Sequence, residues 1–132
     1  MDLYLSDDNV YHRLVREWKE HKSLIVALDF DLTIYDFHKQ DLKFDNVIGL
    51  VREGVELGFR VVIFTANKDY ELILDYCKQI DLDIVGINKN LLPQFDGSGK
   101  IFYNIFLDDR AGLSASYKTL RRVVNAIKKE EI

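Results

Sequence analysis

An apolar run that ends in two aspartates constrains the fold of this chain more than any other stretch. Residues 24–28 (LIVAL) are apolar at every position, and they lead directly into Asp29 and Asp31. A strand that is apolar throughout is typical of a parallel sheet covered on both faces, so the run predicts a sheet of that kind. Two carboxylates beside a buried strand are unfavourable unless something compensates for them, and we therefore expect a compensating group nearby.

Short apolar runs alternate with segments of helical periodicity along the 132 residues, and no repeat or flexible linker separates them. This alternation predicts one α/β domain, a three-layer α/β/α sandwich with a central, mostly parallel sheet and right-handed crossovers. Residues 1–22 form an N-terminal helical extension in this prediction. The predicted strands are 24–28, 59–64, 83–87 and 103–107, and the predicted helices are 8–20, 45–57, 68–80 and 114–129.

The composition excludes several classes of protein. With 48% hydrophobic and 30% charged residues, the chain is typical of a soluble globular protein. It has no apolar run long enough to cross a bilayer and no signal-peptide pattern, so we expect a cytoplasmic protein that does not bind membranes. A net charge of -4 argues against general nucleic-acid binding. The single Cys77 excludes an intramolecular disulfide and is predicted to be a buried thiol.

Polar side chains follow three of the predicted strands at the point where each strand ends. Asp29 and Asp31 follow the first strand, Thr65 follows the second, and Asp108 and Asp109 follow the fourth. Ligands of parallel α/β sheets bind beyond the carboxyl ends of the strands. We therefore expect these five side chains to open at one edge of the sheet.

Four carboxylates at one edge repel one another unless a cation joins them. A cluster of oxygen ligands without histidine or cysteine suits a hard ion, and Mg²⁺ together with a phosphate group is the natural occupant. A carboxylate can attack phosphorus, and a second carboxyl group can transfer protons to and from the leaving oxygen and water. Thr65 and Lys100, a lysine on the loop before the fourth strand, could position and neutralise the phosphate.

Four segments in this order resemble the motifs of the haloacid dehalogenase (HAD) superfamily of phosphohydrolases. They are DFDLT (residues 29–33), IFTAN (63–67), an isolated lysine and IFLDDR (105–110). The resemblance implies that Asp29 is the nucleophile and a metal ligand. It also implies that Asp31 is the general acid and base and binds the metal through its backbone carbonyl.

The resemblance gives roles to the remaining polar residues as well. Thr65 would hold a phosphate oxygen, and Lys100 would steady the nucleophile and the phosphate, with Lys89 and Lys78 as competing choices for this lysine. Asp108 and Asp109 would anchor the metal, with Asp108 ranked first as the direct ligand.

The HAD fold implies a central first strand, followed by a helical turn and a hairpin flap over residues 30–44. Too few residues separate the motifs to hold an inserted cap domain, so the resemblance is to small members without a cap. Leu32 departs from the pattern, because glycine is common at that position. His38 and Lys39 of the predicted flap could meet the substrate, although an exposed hairpin explains them equally well.

Each of these signals has a simpler interpretation when it stands alone. An Asp-x-Asp pair is often turn chemistry, Thr65 or Asn67 could cap a helix, and Lys100 could be a solvated loop residue. Arg110 could contact the substrate or form a salt bridge at the rim of the site, and the salt bridge is the preferred interpretation. Only the order of the residues at successive strand ends favours a metal-assisted phosphate site.

The sequence therefore predicts a Mg²⁺-dependent phosphohydrolase that acts on a phosphomonoester through an aspartyl-phosphate on Asp29. The substrate class stays open among nucleotides, nucleic-acid ends and other large phosphorylated molecules, and so does oligomerisation. A phosphorylation-responsive receiver domain is disfavoured, because its acidic pair precedes the lysine in the chain. A non-catalytic HAD-like binding module or subunit is the remaining alternative.

Overall fold

Four short parallel strands form one sheet in the order β3-β2-β1-β4. The computed structural model describes residues 2–132. The elements in chain order are α1 (Asp7–His21), β1 (Ile25–Leu28), α2 (Asp45–Glu56), β2 (Arg60–Ile63), α3 (Tyr70–Gln79), β3 (Gly86–Ile87), β4 (Ile105–Leu107) and α4 (Leu113–Lys128). Short 3-10 helices lie at Leu3–Leu5 and Pro93–Phe95.

The central strand β1 sets the register of the sheet. All four of its residues are buried, as its uninterrupted apolar pattern predicts. Leu28 pairs with Ile63 of β2 on one side and with Leu107 of β4 on the other. The residues that follow these three positions therefore leave the sheet at the same edge.

The two faces of the sheet are covered by layers of unequal thickness. Alternate strand residues such as Val26 and Leu28 pack into a large apolar cluster to which all four helices contribute. On the opposite face, Ile25, Ala27 and Val62 form a smaller cluster that is covered by apolar residues of the segment 91–106. The predicted fold class is thus confirmed: a three-layer α/β sandwich with an all-parallel central sheet.

Helix α1 is docked on the rest of the fold. It begins at the cap Ser6, whose hydroxyl accepts a hydrogen bond from the Asn9 amide at 3.3 Å. The guanidinium group of Arg122 in α4 lies 3.8 Å from the ring centroid of Tyr11 and pairs with Asp8 at 2.7 Å. The N-terminal segment therefore packs directly on the last helix. None of the helices in residues 2–132 is long and apolar enough to cross a membrane.

The expected hairpin flap is wrong for the segment between β1 and α2. This segment contains turns and one isolated bridge between Asp31 and Tyr35, but no strand. The carboxylate of Asp36 accepts hydrogen bonds from the amides of Gln40 and Leu42, at 3.1 and 3.2 Å. Since one side chain satisfies these amides, they do not pair with a second strand. The segment forms an ordered loop instead.

Candidate active site

Strand register brings aspartates from two distant segments together at the carboxyl edge of the sheet. The amide of Asp29 still donates a hydrogen bond to the carbonyl of Leu107 at 2.9 Å, so Asp29 lies beside Asp108. Carboxylate oxygens of Asp29, Asp108 and Asp109 all lie within 4.8 Å of one another. They line an open cleft of about 710 Å³ to which Asp31 and Thr65 also contribute. The predicted convergence of these five residues at one cleft is thus observed.

Thr33 connects the two halves of the aspartate cluster. Its side chain is fully buried, and its hydroxyl accepts a hydrogen bond from the Asp109 amide at 3.0 Å. The hydroxyl proton has two candidate acceptors, Asp29 Oδ2 at 3.0 Å and Asp109 Oδ1 at 3.2 Å. No role was predicted for this residue from the sequence. A buried threonine four residues after the first aspartate, inside a tight turn, is the signal that could have identified it.

The clustered carboxyl groups shift one another's pKa values. Burial and the neighbouring Asp109 and Asp108 carboxyl groups raise the pKa of Asp29 from 3.8 to about 7, against the opposing hydrogen bond from Thr33. Burial opposes the change at Asp109, but hydrogen bonds from Asp29, Asp108 and Thr33 lower the pKa of its carboxyl group. Within residues 2–132, no lysine, arginine or histidine forms an ion pair with any of the three aspartates.

Asp31 stands apart from the three clustered carboxylates, which differs from the expected group of four. Its carboxylate accepts hydrogen bonds from the side-chain amide of Asn67, at 3.2 Å to Oδ1 and 3.3 Å to Oδ2. The side chain is therefore held by a neutral partner on the loop after β2. The role expected for its backbone carbonyl as a metal ligand stays a prediction.

Thr65 is fixed by an asparagine that directly follows the neighbouring strand β3. Asn88, directly after β3, accepts a hydrogen bond from the Thr65 amide at 2.8 Å and donates one to the Thr65 carbonyl at 2.8 Å. The Thr65 hydroxyl in turn accepts a hydrogen bond from the backbone amide of Asn67 at 3.0 Å. Neither Asn67 nor Asn88 was given a role at this site from the sequence. The position of Asn88 directly after a strand is the only sequence signal for it.

Lys100, the predicted motif lysine, does not line the aspartate cleft. It lines a neighbouring groove, and Phe64 is the one residue common to both surfaces. Its Nζ lies 5.9 Å from the ring centroid of Tyr103. The competing Lys89 does not line the cleft either, because its side chain packs against the backbone of Gly86. Lys78, the third choice, lies exposed in the last turn of α3.

Arg110 and His38 are the basic residues that line the aspartate cleft. The expected rim salt bridge of Arg110 is wrong: within the described residues, its guanidinium group pairs with no carboxylate. The Arg110 backbone amide donates to Asp108 Oδ1 at 3.0 Å, which orients that carboxylate. Its side-chain charge is therefore left available to a ligand in the cleft.

Leu32 adopts a backbone conformation that suits glycine. Its φ is 64°, in the left-handed region that costs non-glycine residues about 1–2 kcal/mol. Glycine adopts this conformation without strain, which is consistent with the glycine expected at this position from the resemblance. The side chain of Leu32 lines the cleft beside the aspartates.

Comparisons with known proteins support the fold alone. No family model matches the sequence. No curated protein matches it either. A solved structure of a conserved protein from Bacteroides thetaiotaomicron is similar to this chain, with a TM-score of 0.61 and 17% sequence identity. The similarity covers 82% of this chain and 92% of that one.

Proposed function

We propose that this protein is a Mg²⁺-dependent phosphohydrolase that cleaves phosphomonoesters through an aspartyl-phosphate on Asp29. The observation that carries the proposal is the meeting of three carboxylates within 4.8 Å of one another, without a basic ion-pair partner in the described chain. The ordered motifs that resemble the HAD superfamily support the same chemistry. Three of the four motifs, all except the lysine, contribute residues to the one cleft at the carboxyl edge of the sheet.

The ligand atoms available in the cleft fit Mg²⁺. Asp29, Asp108 and Asp109 offer only carboxylate oxygens, and Mg²⁺ prefers such ligands together with water and phosphate oxygens. A bound Mg²⁺ would neutralise the clustered charge and orient the phosphate group. The pKa of Asp29 is raised to about 7, and neutralisation of the clustered charge would lower it.

The protein residues then divide the chemical work. The Asp29 carboxylate attacks phosphorus and forms an oxygen–phosphorus bond while the bond to the ester oxygen breaks. Asp31, oriented by the Asn67 amide, gives its proton to the leaving oxygen. Water next attacks the phosphorus of the aspartyl-phosphate and gives a proton to the Asp31 carboxylate, while the bond between phosphorus and Asp29 breaks and inorganic phosphate forms. Thr65 and Arg110 line the cleft, and in this mechanism the Thr65 hydroxyl and the Arg110 guanidinium group bind phosphate oxygens.

Substitution of the two acidic residues tests this mechanism. We expect Asp29→Asn and Asp31→Asn each to lower turnover of p-nitrophenyl phosphate with Mg²⁺ by about a hundredfold or more. Asp75→Asn, at an exposed position on α3, is the matched control and should retain activity. Circular dichroism verifies that each variant is folded. Undiminished turnover in both variants would reject the mechanism.

A non-catalytic phosphate-binding module is the second candidate. The position of Lys100 outside the cleft favours it, because the reaction lacks the lysine that the resemblance implies. This candidate requires binding of phosphorylated compounds with Mg²⁺ and no turnover of any of them. Calorimetry combined with a phosphate-release assay separates the two functions.

A further inference from the structure

Aromatic side chains form much of the wall of the aspartate cleft. Phe37, His38, Phe64 and Phe106 all line it. The rings of Phe64 and Phe106 are 5.5 Å apart between centroids and tilted by 49°, and those of Phe37 and His38 are 5.1 Å apart. Binding of a phosphate group requires no apolar rings. This wall therefore needs a separate explanation.

Core packing does not explain two of these rings. Phe37 is 51% exposed and Phe64 is 37% exposed, and neither belongs to an apolar cluster on either face of the sheet. Phe106, in contrast, packs in the smaller cluster beneath the segment 91–103. Exposed apolar rings that are grouped beside polar groups are typical of a binding surface. Phe37 and Phe64 thus leave part of each residue accessible to a ligand in the cleft.

The aromatic surface of the cleft continues away from the aspartates, through the partly buried rings of Phe106 and Tyr103, toward a positive charge. Phe106 contacts Tyr103 at a ring distance of 5.3 Å, and Lys100 Nζ lies 5.9 Å from the Tyr103 ring. Neighbouring rings with basic groups nearby, Arg110 in the cleft and Lys100 beside Tyr103, resemble the surfaces on which bases of single-stranded nucleic acids stack. This arrangement also gives Lys100 a place outside the cleft.

We propose that the leaving group of the substrate carries a nucleobase that stacks on the exposed rings of Phe37 and Phe64 beside the aspartate cluster. The proposal rests on the phosphohydrolase function proposed above. No element of residues 2–132 forms a cap domain that could enclose a leaving group, so the walls of the open cleft would hold it. The source of the base is a free nucleotide or the phosphorylated end of a single strand, and the experiment distinguishes these two.

The test compares substrates with and without a base. We expect kcat/KM for adenosine 5'-monophosphate to exceed that for ribose 5-phosphate by about tenfold or more, since stacking of one base has an effect of that size. Phe64→Leu keeps an apolar side chain but removes the ring, and it should lower this ratio by about tenfold. Tyr4→Leu, which removes an exposed ring outside the cleft, should leave the ratio unchanged.

Three results would overturn the proposal. These are equal kcat/KM for the two substrates, an unchanged ratio in Phe64→Leu, and a preference for phosphotyrosine over the nucleotide. If the protein turns over no phosphomonoester, the phosphohydrolase function fails. Calorimetry with the same two compounds and Mg²⁺ then decides the stacking proposal: binding of the nucleotide about tenfold tighter than ribose 5-phosphate supports it, and equal or absent binding overturns it.

A third substrate identifies the source of the base. An oligodeoxythymidine with a terminal phosphate can extend along the aromatic surface, whereas thymidine 5'-monophosphate cannot. If a strand end is the source, the oligonucleotide has the higher kcat/KM and Tyr103→Leu removes its advantage. If a free nucleotide is the source, both substrates react equally well and Tyr103→Leu changes neither relative to the other. Both results support recognition of a base.

Discussion

Removal of one carboxylate from the aspartate cluster should stabilise the metal-free protein. In Asp29→Asn the uncharged amide keeps the size of the side chain and can still accept the hydrogen bond from Thr33. The pKa of Asp29 is about 7 in the fold, against 3.8 ordinarily. A difference of about three pKa units corresponds to a free energy of at most about 4 kcal/mol. Because the side chain is half-buried, solvent screening should reduce this to about 1–2 kcal/mol.

The sign of the pH dependence follows from the raised pKa. Between pH 4 and 7 the unfolded chain has released the Asp29 proton while the folded protein still holds it. The free energy of unfolding of the metal-free protein therefore falls as the pH rises through this range. The Asp29→Asn variant lacks this decrease. The free energy of unfolding of the variant should equal that of the unsubstituted protein near pH 4, and its excess over that protein should reach full size above pH 7.

Urea unfolding at pH 4 and pH 8, in EDTA and in Mg²⁺, measures these effects. In EDTA at pH 8 we expect Asp29→Asn to be more stable than the unsubstituted protein by about 1–2 kcal/mol. Mg²⁺ should stabilise the unsubstituted protein and have a much smaller effect on the variant. Asp75→Asn controls for the loss of one surface charge. An equal effect of Mg²⁺ on both proteins, or no advantage of the variant at pH 8, would refute the reasoning.

Three further substitutions test individual residues by urea unfolding. Thr33→Val should lower the free energy of unfolding by about 1–3 kcal/mol, because the Asp109 amide loses its buried acceptor; an unchanged value contradicts this role. Leu32→Gly should raise stability by about 1 kcal/mol by relieving the left-handed backbone, whereas Leu32→Val should not. Basic partners in α4 lower the pKa of Glu53 to about 2. Glu53→Gln should therefore lower the free energy of unfolding by about 1 kcal/mol above pH 4.5. That cost should vanish as the pH falls toward 2, and a pH-independent cost would count against the ion pairs.

The aspartates at the strand ends could be predicted because the sheet alone determines where they lie. An apolar run identifies β1, and parallel pairing of Leu28 with Leu107 places the following residues, Asp29 and Asp108, side by side. Strand ends are less predictable. β3 shortens from the predicted 83–87 to Gly86–Ile87, although the Val85 amide still donates to the Val61 carbonyl at 2.8 Å. At an edge strand, pairing on one side alone determines the length.

Loop residues of the site could not be predicted from periodicity. Asn67 and Asn88 act through hydrogen bonds to a carboxylate and a backbone segment that lie 36 and 23 positions away in the chain. Only the folded loops bring such partners together. The position of Lys100 depends in the same way on the segment 88–104, where Gly97 and Gly99 have φ values of 81° and 78°. Glycine allows many paths for this loop, so the sequence does not determine which surface the lysine reaches.

The separation of Asp31 from the other aspartates has a physical cause in the turn that follows β1. In an extended strand, residues two apart lie on the same side, and Asp29 and Asp31 would then repel each other within one cluster. Instead the chain turns after Phe30, whose carbonyl accepts hydrogen bonds from the amides of Thr33, Ile34 and Tyr35. The turn places the Asp31 carboxylate beside the neutral side-chain amide of Asn67 rather than beside the other three carboxylates. The strained backbone of Leu32 lies within this turn. The same turn that strains Leu32 therefore separates Asp31, the proposed acid, from the proposed metal ligands.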